Sequence, residues 1–181
     1  AYRISETVRG LLNFARPTPP KFTKVQINRL IGETISFLHN QPLFKKLEIR
    51  ENLNPDLPSV TADANQIRQV LINILLNAAQ AITESGVITV TTGKLKFEDR
   101  VEIRVADTGV GIPPENLGRL FEPFFTTKKG SGTGLGLSIS FSFIKNHNGD
   151  FGITSEVGKG TEVKIILPIR QKGRIISEVI E

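Results

Sequence analysis

Two glycine clusters constrain this chain more than any other feature. The first runs Asp107-Thr108-Gly109-Val110-Gly111-Ile112-Pro113, and the second runs Gly130-Ser131-Gly132-Thr133-Gly134-Leu135-Gly136-Leu137-Ser138. Residues 114–129 between them show no sustained hydrophobic period. An insert of that kind in a compact domain is usually a lid, a binding loop or disorder. Glycines at this density let backbone N–H groups approach a ligand without interference from Cβ, as a phosphate cradle requires. The second cluster leads into Leu135-Gly136-Leu137-Ser138-Ile139, which reads as the first turn of a helix. A helix N-terminus aimed at a phosphate is a natural anion site. Glycine turns alone fit plain loops equally well, so matching chemistry has to come from elsewhere in the chain.

The stretch after Asp63 supplies some of it. Asp63 is a good N-cap for a helix running to about Thr83. At 100° per residue, Ile67, Leu71, Ile74, Leu75, Ala78 and Ile82 form one broad apolar face, and Ile72 and Leu76 form another strip. Between them lies a narrow row of Gln66, Gln69, Asn73, Asn77 and Gln80, polar but wholly uncharged. A solvent-facing row would normally carry Lys or Glu, so amides flanked by apolar groups suggest a lined pocket. Amides that cap neighbouring backbone groups are the competing reading.

The remaining pattern fixes the fold class. Ile4, Val8, Leu11, Leu12 and Ala15 make one helical seam, ended by Pro17, Pro19 and Pro20. A second helical pattern covers Asn28 to Phe44, with Pro42 disturbing its end. Strands are expected over Leu47–Leu53, Ser59–Thr61, Val87–Phe97, Val101–Ala106, Asp150–Ser155 and Thr161–Leu167, and a helix over Leu135–Lys145. The tail from Gln171 to Glu181 is ambiguous. This layout predicts an α+β fold, a two-layer sandwich of a mixed, mostly antiparallel sheet with helices on one face, preceded by a short N-terminal helix. The expected division is 1–16 helix, 17–24 proline-rich linker, 25–169 main domain and 170–181 tail.

Composition excludes several classes. The 181 residues contain no cysteine, which rules out disulfides and thiolate metal sites. No run approaches the roughly 18 apolar residues of a membrane span. The net charge of +5 is spread along the chain without aromatic interleaving, so nucleic acid is not an expected partner. The sequence opens in mid-helix pattern and reads as a fragment of something longer.

Four separated features then ask for one explanation: the amide pair Asn73 and Asn77 one helical turn apart, Asp107 at a strand end, Phe121-Glu122-Pro123-Phe124-Phe125 inside the insert, and the second glycine cluster at a helix start. A carboxylate at a pocket base can accept an exocyclic amine, which suits adenine. A carboxamide oxygen is a hard ligand able to complete an octahedral Mg²⁺ alongside phosphates and water.

In this order the motifs resemble the catalytic ATP-binding domain of sensor histidine kinases, in the superfamily shared with gyrase B and MutL. Residues 63–82 are similar to its N box, 105–113 to its first glycine box, 121–125 to its F box, 130–138 to its second glycine box, and Gly160-Thr161 to its late glycine-threonine element. The similarity covers roughly residues 22–168 and implies a Bergerat-type ATP-binding fold. It also implies that Asn77 ligates Mg²⁺, Asn73 supports the phosphate side, and Asp107 receives the adenine amine with Thr161 assisting through water. Gly109, Gly111 and Ile112 would shape that floor. Phe125, Lys128, Gly132, Thr133, Gly134, Leu135, Gly136 and Leu137 complete the ATP-binding set on the lid side, Lys128 as a phosphate contact or a solvated lysine. Phe121, Phe124 and Phe125 are chiefly expected to anchor the lid. Gln80 stands where many relatives carry Lys or Arg, and Arg68 is expected on the surface.

Residues 1–16 resemble the closing end of the second helix of a dimerisation and phosphoacceptor hairpin. His39-Asn40-Gln41-Pro42-Leu43 lacks the acid that follows a phosphoacceptor histidine, and His147 before Asn148-Gly149 reads as an ordinary helix cap. No catalytic general base is identifiable. Gyrase-like relatives use a glutamate where this chain has Asn73, which favours a kinase over a hydrolase. The resemblance therefore implies transfer of the ATP γ-phosphoryl group to a hairpin histidine, for relay to a response-regulator receiver domain, by a cytoplasmic part of a homodimeric and optionally membrane-anchored protein. A serine kinase or ATPase of the superfamily, or a non-catalytic ATP-binding module, are the alternatives. Asn77-Ala78-Ala79-Gln80-Ala81-Ile82 is similar to kinases of the nitrogen-regulation type.

Overall fold

The computed structural model describes residues 20–128 and 132–171. The expected N-terminal helix, the start of the linker and most of the tail lie outside these residues. The element order is β1 (Thr23–Val25), α1 (Ile27–His39), a 3₁₀ turn (Pro42–Phe44), β2 (Leu47–Asn52), β3 (Val60–Ala62), α2 (Ala64–Ala81), β4 (Gly86–Lys94), β5 (Arg100–Asp107), α3 (Pro114–Leu117), α4 (Gly136–Asn146), β6 (Asp150–Glu156) and β7 (Gly160–Pro168).

Five strands form one sheet in the order β2-β4-β5-β7-β6, and β1 pairs with β3 in a separate two-stranded ribbon. Among the described residues only β2 and β4 run parallel in the large sheet, and every other neighbour there is antiparallel. Val101, Ile103 and Val105 alternate toward the helices, as do Val163, Ile165 and Leu167 on the adjacent strand, while their neighbours along each strand are less buried. Helix α2 lies across this face, with α1 and α4 packed beside it. Its buried residues Ile67, Val70, Leu71, Ile74, Leu75 and Ala78 fill the layer between helices and sheet. The α+β sandwich is thus the observed architecture.

Helix α2 starts where its cap predicts. The Asp63 carboxylate accepts from the N–H groups of Asn65 (2.9 Å) and Gln66 (3.1 Å), and its other oxygen accepts from the N–H of Lys21 (2.8 Å). The Asp63 N–H itself donates to Nε2 of His147 at 2.9 Å. His147 is fully buried, and its Nδ1 lies 2.7 Å from the Phe143 carbonyl oxygen. With Nε2 accepting, Nδ1 carries the proton and donates. The residue expected as a plain helix cap therefore ties the end of α4 to the start of α2.

Two elements differ from the sequence pattern. Helix α1 ends at His39 rather than running to Phe44, because Pro42 has no N–H to continue the ladder and a 3₁₀ turn replaces it. The proline-rich stretch already contributes to the folded body: Phe22 is buried against the His147 ring at 5.0 Å, and β1 follows at once. Gln171 is also buried, donating to the His147 carbonyl at 2.7 Å and accepting from Asn148 at 2.9 Å. Among the described residues no helix is long and apolar enough to cross a membrane.

Candidate functional site

The site is built at one end of the sheet, where β5 stops. Asp107 pairs across the strands with Thr161, and Thr161 pairs with Ser155, so β5, β7 and β6 present these three residues as one row. All three follow the period-2 alternation that points their strands' apolar residues at the helices. An open depression at the strand ends is lined by residues of both strand faces, Ala106, Thr154 and Glu162 as well as Asp107, Ser155 and Thr161. Asp107 Oδ1 accepts from the N–H of Gly109 at 2.8 Å, closing the first glycine turn. Burial pushes the Asp107 carboxyl above the ordinary aspartate range, and the backbone N–H groups of Gly109 and Thr161 draw it part of the way back.

Neighbouring elements grip that turn. The Val110 N–H donates to the last carbonyl of α2, on Ala81, at 3.0 Å. A Cβ on Gly109 would lie 2.7 Å from the Ala81 Cβ, so the turn can dock on α2 only as glycine. Gly160 has φ +117°, and a Cβ there would sit 1.9 Å from the Asp107 carbonyl oxygen. The Ile112 N–H donates to Ser155 Oγ at 2.8 Å, and the Gly158 N–H donates to the Val110 carbonyl at 2.9 Å. Asp107, Gly109, Gly111, Ile112 and Thr161 are therefore brought together as a floor.

The amide row of α2 divides into two parts. Asn73 faces α4: its Nδ2 donates to the Gly136 carbonyl and to Ser140 Oγ, both at 3.1 Å, and its oxygen accepts from Gln69 at 3.3 Å. The competing reading of that row, an amide that satisfies a neighbouring backbone group, holds at Asn73, while Asn77 and Gln80 meet a cation. The Lys128 ammonium, carried on the lid, donates to Asn77 Oδ1 at 3.0 Å and to Gln80 Oε1. Burial pushes that ammonium below the ordinary lysine range. Arg68 pairs with Glu33 at 2.8 Å on the partly exposed outer side.

The lid hangs between these fixed points. Phe121 packs on Phe141 at 4.6 Å and on Phe151 at 5.5 Å, anchoring its near end to the core. Phe125 lies under the Arg119 guanidinium at 4.4 Å. Phe124 is exposed with φ 68°, a strained value for an aromatic residue, and its N–H donates to the Gly134 carbonyl at 3.0 Å. Gly132 and Thr133 are exposed, the Leu135 side chain is buried, and Leu137 packs against the core. Helix α4 then begins at Gly136 with no side-chain cap among the described residues, leaving first-turn N–H groups available to an anion.

Sequence reasoning did not single out Ser155. The signal was present, because Phe151, Ile153 and Ser155 alternate and place a hydroxyl in an otherwise apolar row.

Comparison with known proteins bears on this geometry. The family model described as histidine kinase-, DNA gyrase B- and HSP90-like ATPase matches residues 62–171. The chain is 37% identical over 169 residues to sporulation kinase E of Bacillus subtilis, covering 93% of this chain and 23% of that protein. It is 36% identical over 169 residues to the sensor histidine kinase ZraS of Escherichia coli, covering 93% of this chain and 36% of ZraS. Among solved structures, full-length ShkA in complex with AMPPNP matches with a TM-score of 0.81 and 30% identity over 92% of this chain and 36% of that one. The histidine kinase ThkA in complex with response regulator protein TrrA matches with a TM-score of 0.78 and 25% identity, over 96% of this chain and 49% of that one. The chain thus spans between about a quarter and a third of these two curated relatives. By its matched residues, this chain belongs to the histidine kinase-, DNA gyrase B- and HSP90-like ATPase family.

Proposed function

We propose that this chain is the ATP-binding catalytic part of a sensor histidine kinase. The adenine amine binds at Asp107, with Thr161 assisting, and the phosphates lie between the lid and the start of α4. Asn77 gives its carboxamide oxygen to Mg²⁺. When bound, the ion neutralises phosphate charge during transfer.

The observation that carries this reading is the cation already seated at Asn77. Lys128 Nζ rests on Asn77 Oδ1 at 3.0 Å and on Gln80 Oε1, two uncharged oxygens. Such a site suits a hard cation whose other ligands are phosphate and water. Among the described residues no group of three or more His, Cys, Asp or Glu is placed to hold a metal. The cation that Gln80 does not supply comes from the lid, and Lys128 is positioned to move onto the phosphates.

The γ-phosphoryl group goes to a histidine on a dimerisation hairpin and thence to a receiver domain. ThkA with its bound response regulator, and ShkA with AMPPNP, support partners of those kinds. The full-length protein acts as a homodimer with this part in the cytoplasm. Asn73 explains the choice of acceptor. An amide cannot take a proton from water, and its donor is tied to Gly136 and Ser140. Catalysis is then positioning and charge neutralisation. Calorimetric titration with ATP and Mg²⁺, followed by a phosphate-release assay, tests this. Binding without turnover supports it, and steady hydrolysis contradicts it.

A further inference from the structure

Ser155 makes three contacts with one hydroxyl. Its Oγ lies 2.8 Å from the Ile112 N–H, 2.9 Å from the Gly160 carbonyl oxygen and 2.9 Å from Thr161 Oγ1. A serine hydroxyl has one proton and two lone pairs. The Ile112 N–H takes one lone pair. The Gly160 carbonyl can only accept, so the Ser155 proton points there; the opposite choice would leave two acceptor oxygens facing each other at 2.9 Å. The remaining lone pair of Ser155 must therefore receive the proton of Thr161.

This assignment fixes the polarity of the site floor. Thr161 spends its only proton on Ser155 and has lone pairs alone to offer beside Asp107. The ionised carboxylate of Asp107 is likewise an acceptor only. The two residues stand directly opposite each other on β5 and β7. An acceptor beside an acceptor complements an amine with two N–H groups and repels a carbonyl oxygen.

We propose that Ser155 is a specificity-determining positioning residue: by holding the Thr161 proton, it makes the nucleobase floor accept a 6-amino purine and reject a 6-oxo purine. The proposal deepens the ATP reading above and rests on it. Without Ser155 the Thr161 hydroxyl is free to rotate, and it can donate to a 6-oxo group that Asp107 alone would repel.

The test is calorimetric titration with ATP and with ITP, which differ at that 6-position and in the proton that the 6-oxo base carries on N1. Five forms are compared: the unaltered chain, Asp107→Asn, Ser155→Ala, Thr161→Val, and Thr161→Val combined with Ser155→Ala. Ser155→Ala is expected to lower the ATP-to-ITP affinity ratio roughly fivefold, the worth of one neutral hydrogen bond, chiefly by tighter ITP binding. With Thr161→Val in place there is no hydroxyl to release, so Ser155→Ala is expected to leave the ratio unchanged. Ser155→Ala also removes partners from Ile112 and Gly160, and a loss from that cause would persist in the Thr161→Val background. Persistence overturns the proposal. So does an unchanged ratio in Ser155→Ala when Asp107→Asn lowers it, with the ATP site intact. If Asp107→Asn leaves the ratio unchanged, or ATP does not bind, the ATP reading fails and this inference falls with it.

Discussion

Lys128 reaches from the lid to helix α2 and places its ammonium 3.0 Å from the Asn77 carboxamide oxygen. The oxygen assigned to the metal is thus held by a lysine of the same chain. Asn77→Ala removes it. The expected outcome is at least a tenfold loss of ATP affinity in Mg²⁺ and little change in EDTA, a difference of about 1.4 kcal/mol or more. Equal losses in both conditions would remove Asn77 from the metal.

Lys128 itself is held at a cost. Its folded-state pKa is depressed by burial, so its charge opposes folding fully at pH below the depressed value, and that opposition fades as pH rises through it and is gone above the ordinary lysine range. Lys128→Met is therefore expected to leave the thermal midpoint without ATP unchanged or slightly higher at pH 7. ATP affinity is expected to fall several-fold, because a phosphate partner is lost. A clear drop in the midpoint with full ATP affinity would make Lys128 a structural tether only.

Asp107 has the opposite shift. Its folded pKa is raised above the unfolded value by burial, so its contribution favours the nucleotide-free fold at pH below the ordinary aspartate range and is lost as pH rises through the raised value. Donation from an adenine amine favours the carboxylate, so ATP affinity is expected to weaken as pH falls through that raised value. Asp107→Asn keeps an oxygen for the Gly109 N–H and cannot titrate. It is expected to leave stability at neutral pH equal or higher, and to lose this part of the pH dependence. Measuring both proteins over the same pH range removes the titration of ATP itself from the comparison.

Asp63 is a stability position away from the nucleotide. Its carboxylate accepts three backbone N–H groups, from Lys21, Asn65 and Gln66. Asp63→Ala is expected to cost about 2 kcal/mol, the upper range for a lost N-cap, and to lower the thermal midpoint by roughly 4–8 °C. ATP affinity in the folded protein should change little. Loss below 0.5 kcal/mol in a denaturant titration would show that water replaces these bonds.

The sequence made some parts of this fold plain and hid others for physical reasons. Helix α2 was legible because its cap, its apolar face and its uncharged amide row all follow one 3.6-residue period. The glycine turns and Asp107 were legible because special backbone geometry demands particular residues. Strand β1 was not, since three residues carry no period and its pairing with β3 is a tertiary contact. His147 is the helix cap its sequence suggests, but its further bond to the Asp63 N–H, 84 positions away, was hidden. The split of the amide row between Asn73 on α4 and Asn77 on Lys128 depends on how α4 and the lid pack, which periodicity on α2 cannot reveal.

The most direct test of the kinase assignment follows the γ-phosphoryl group itself. A longer form of this protein carrying the complete hairpin is incubated with γ-labelled ATP and Mg²⁺, and the label is then tested for acid and base stability. The account predicts acid-labile, base-stable label on a hairpin histidine, lost in Asn77→Ala, with no steady release of phosphate. Label on serine, or continuous phosphate release with an unlabelled protein, would contradict it.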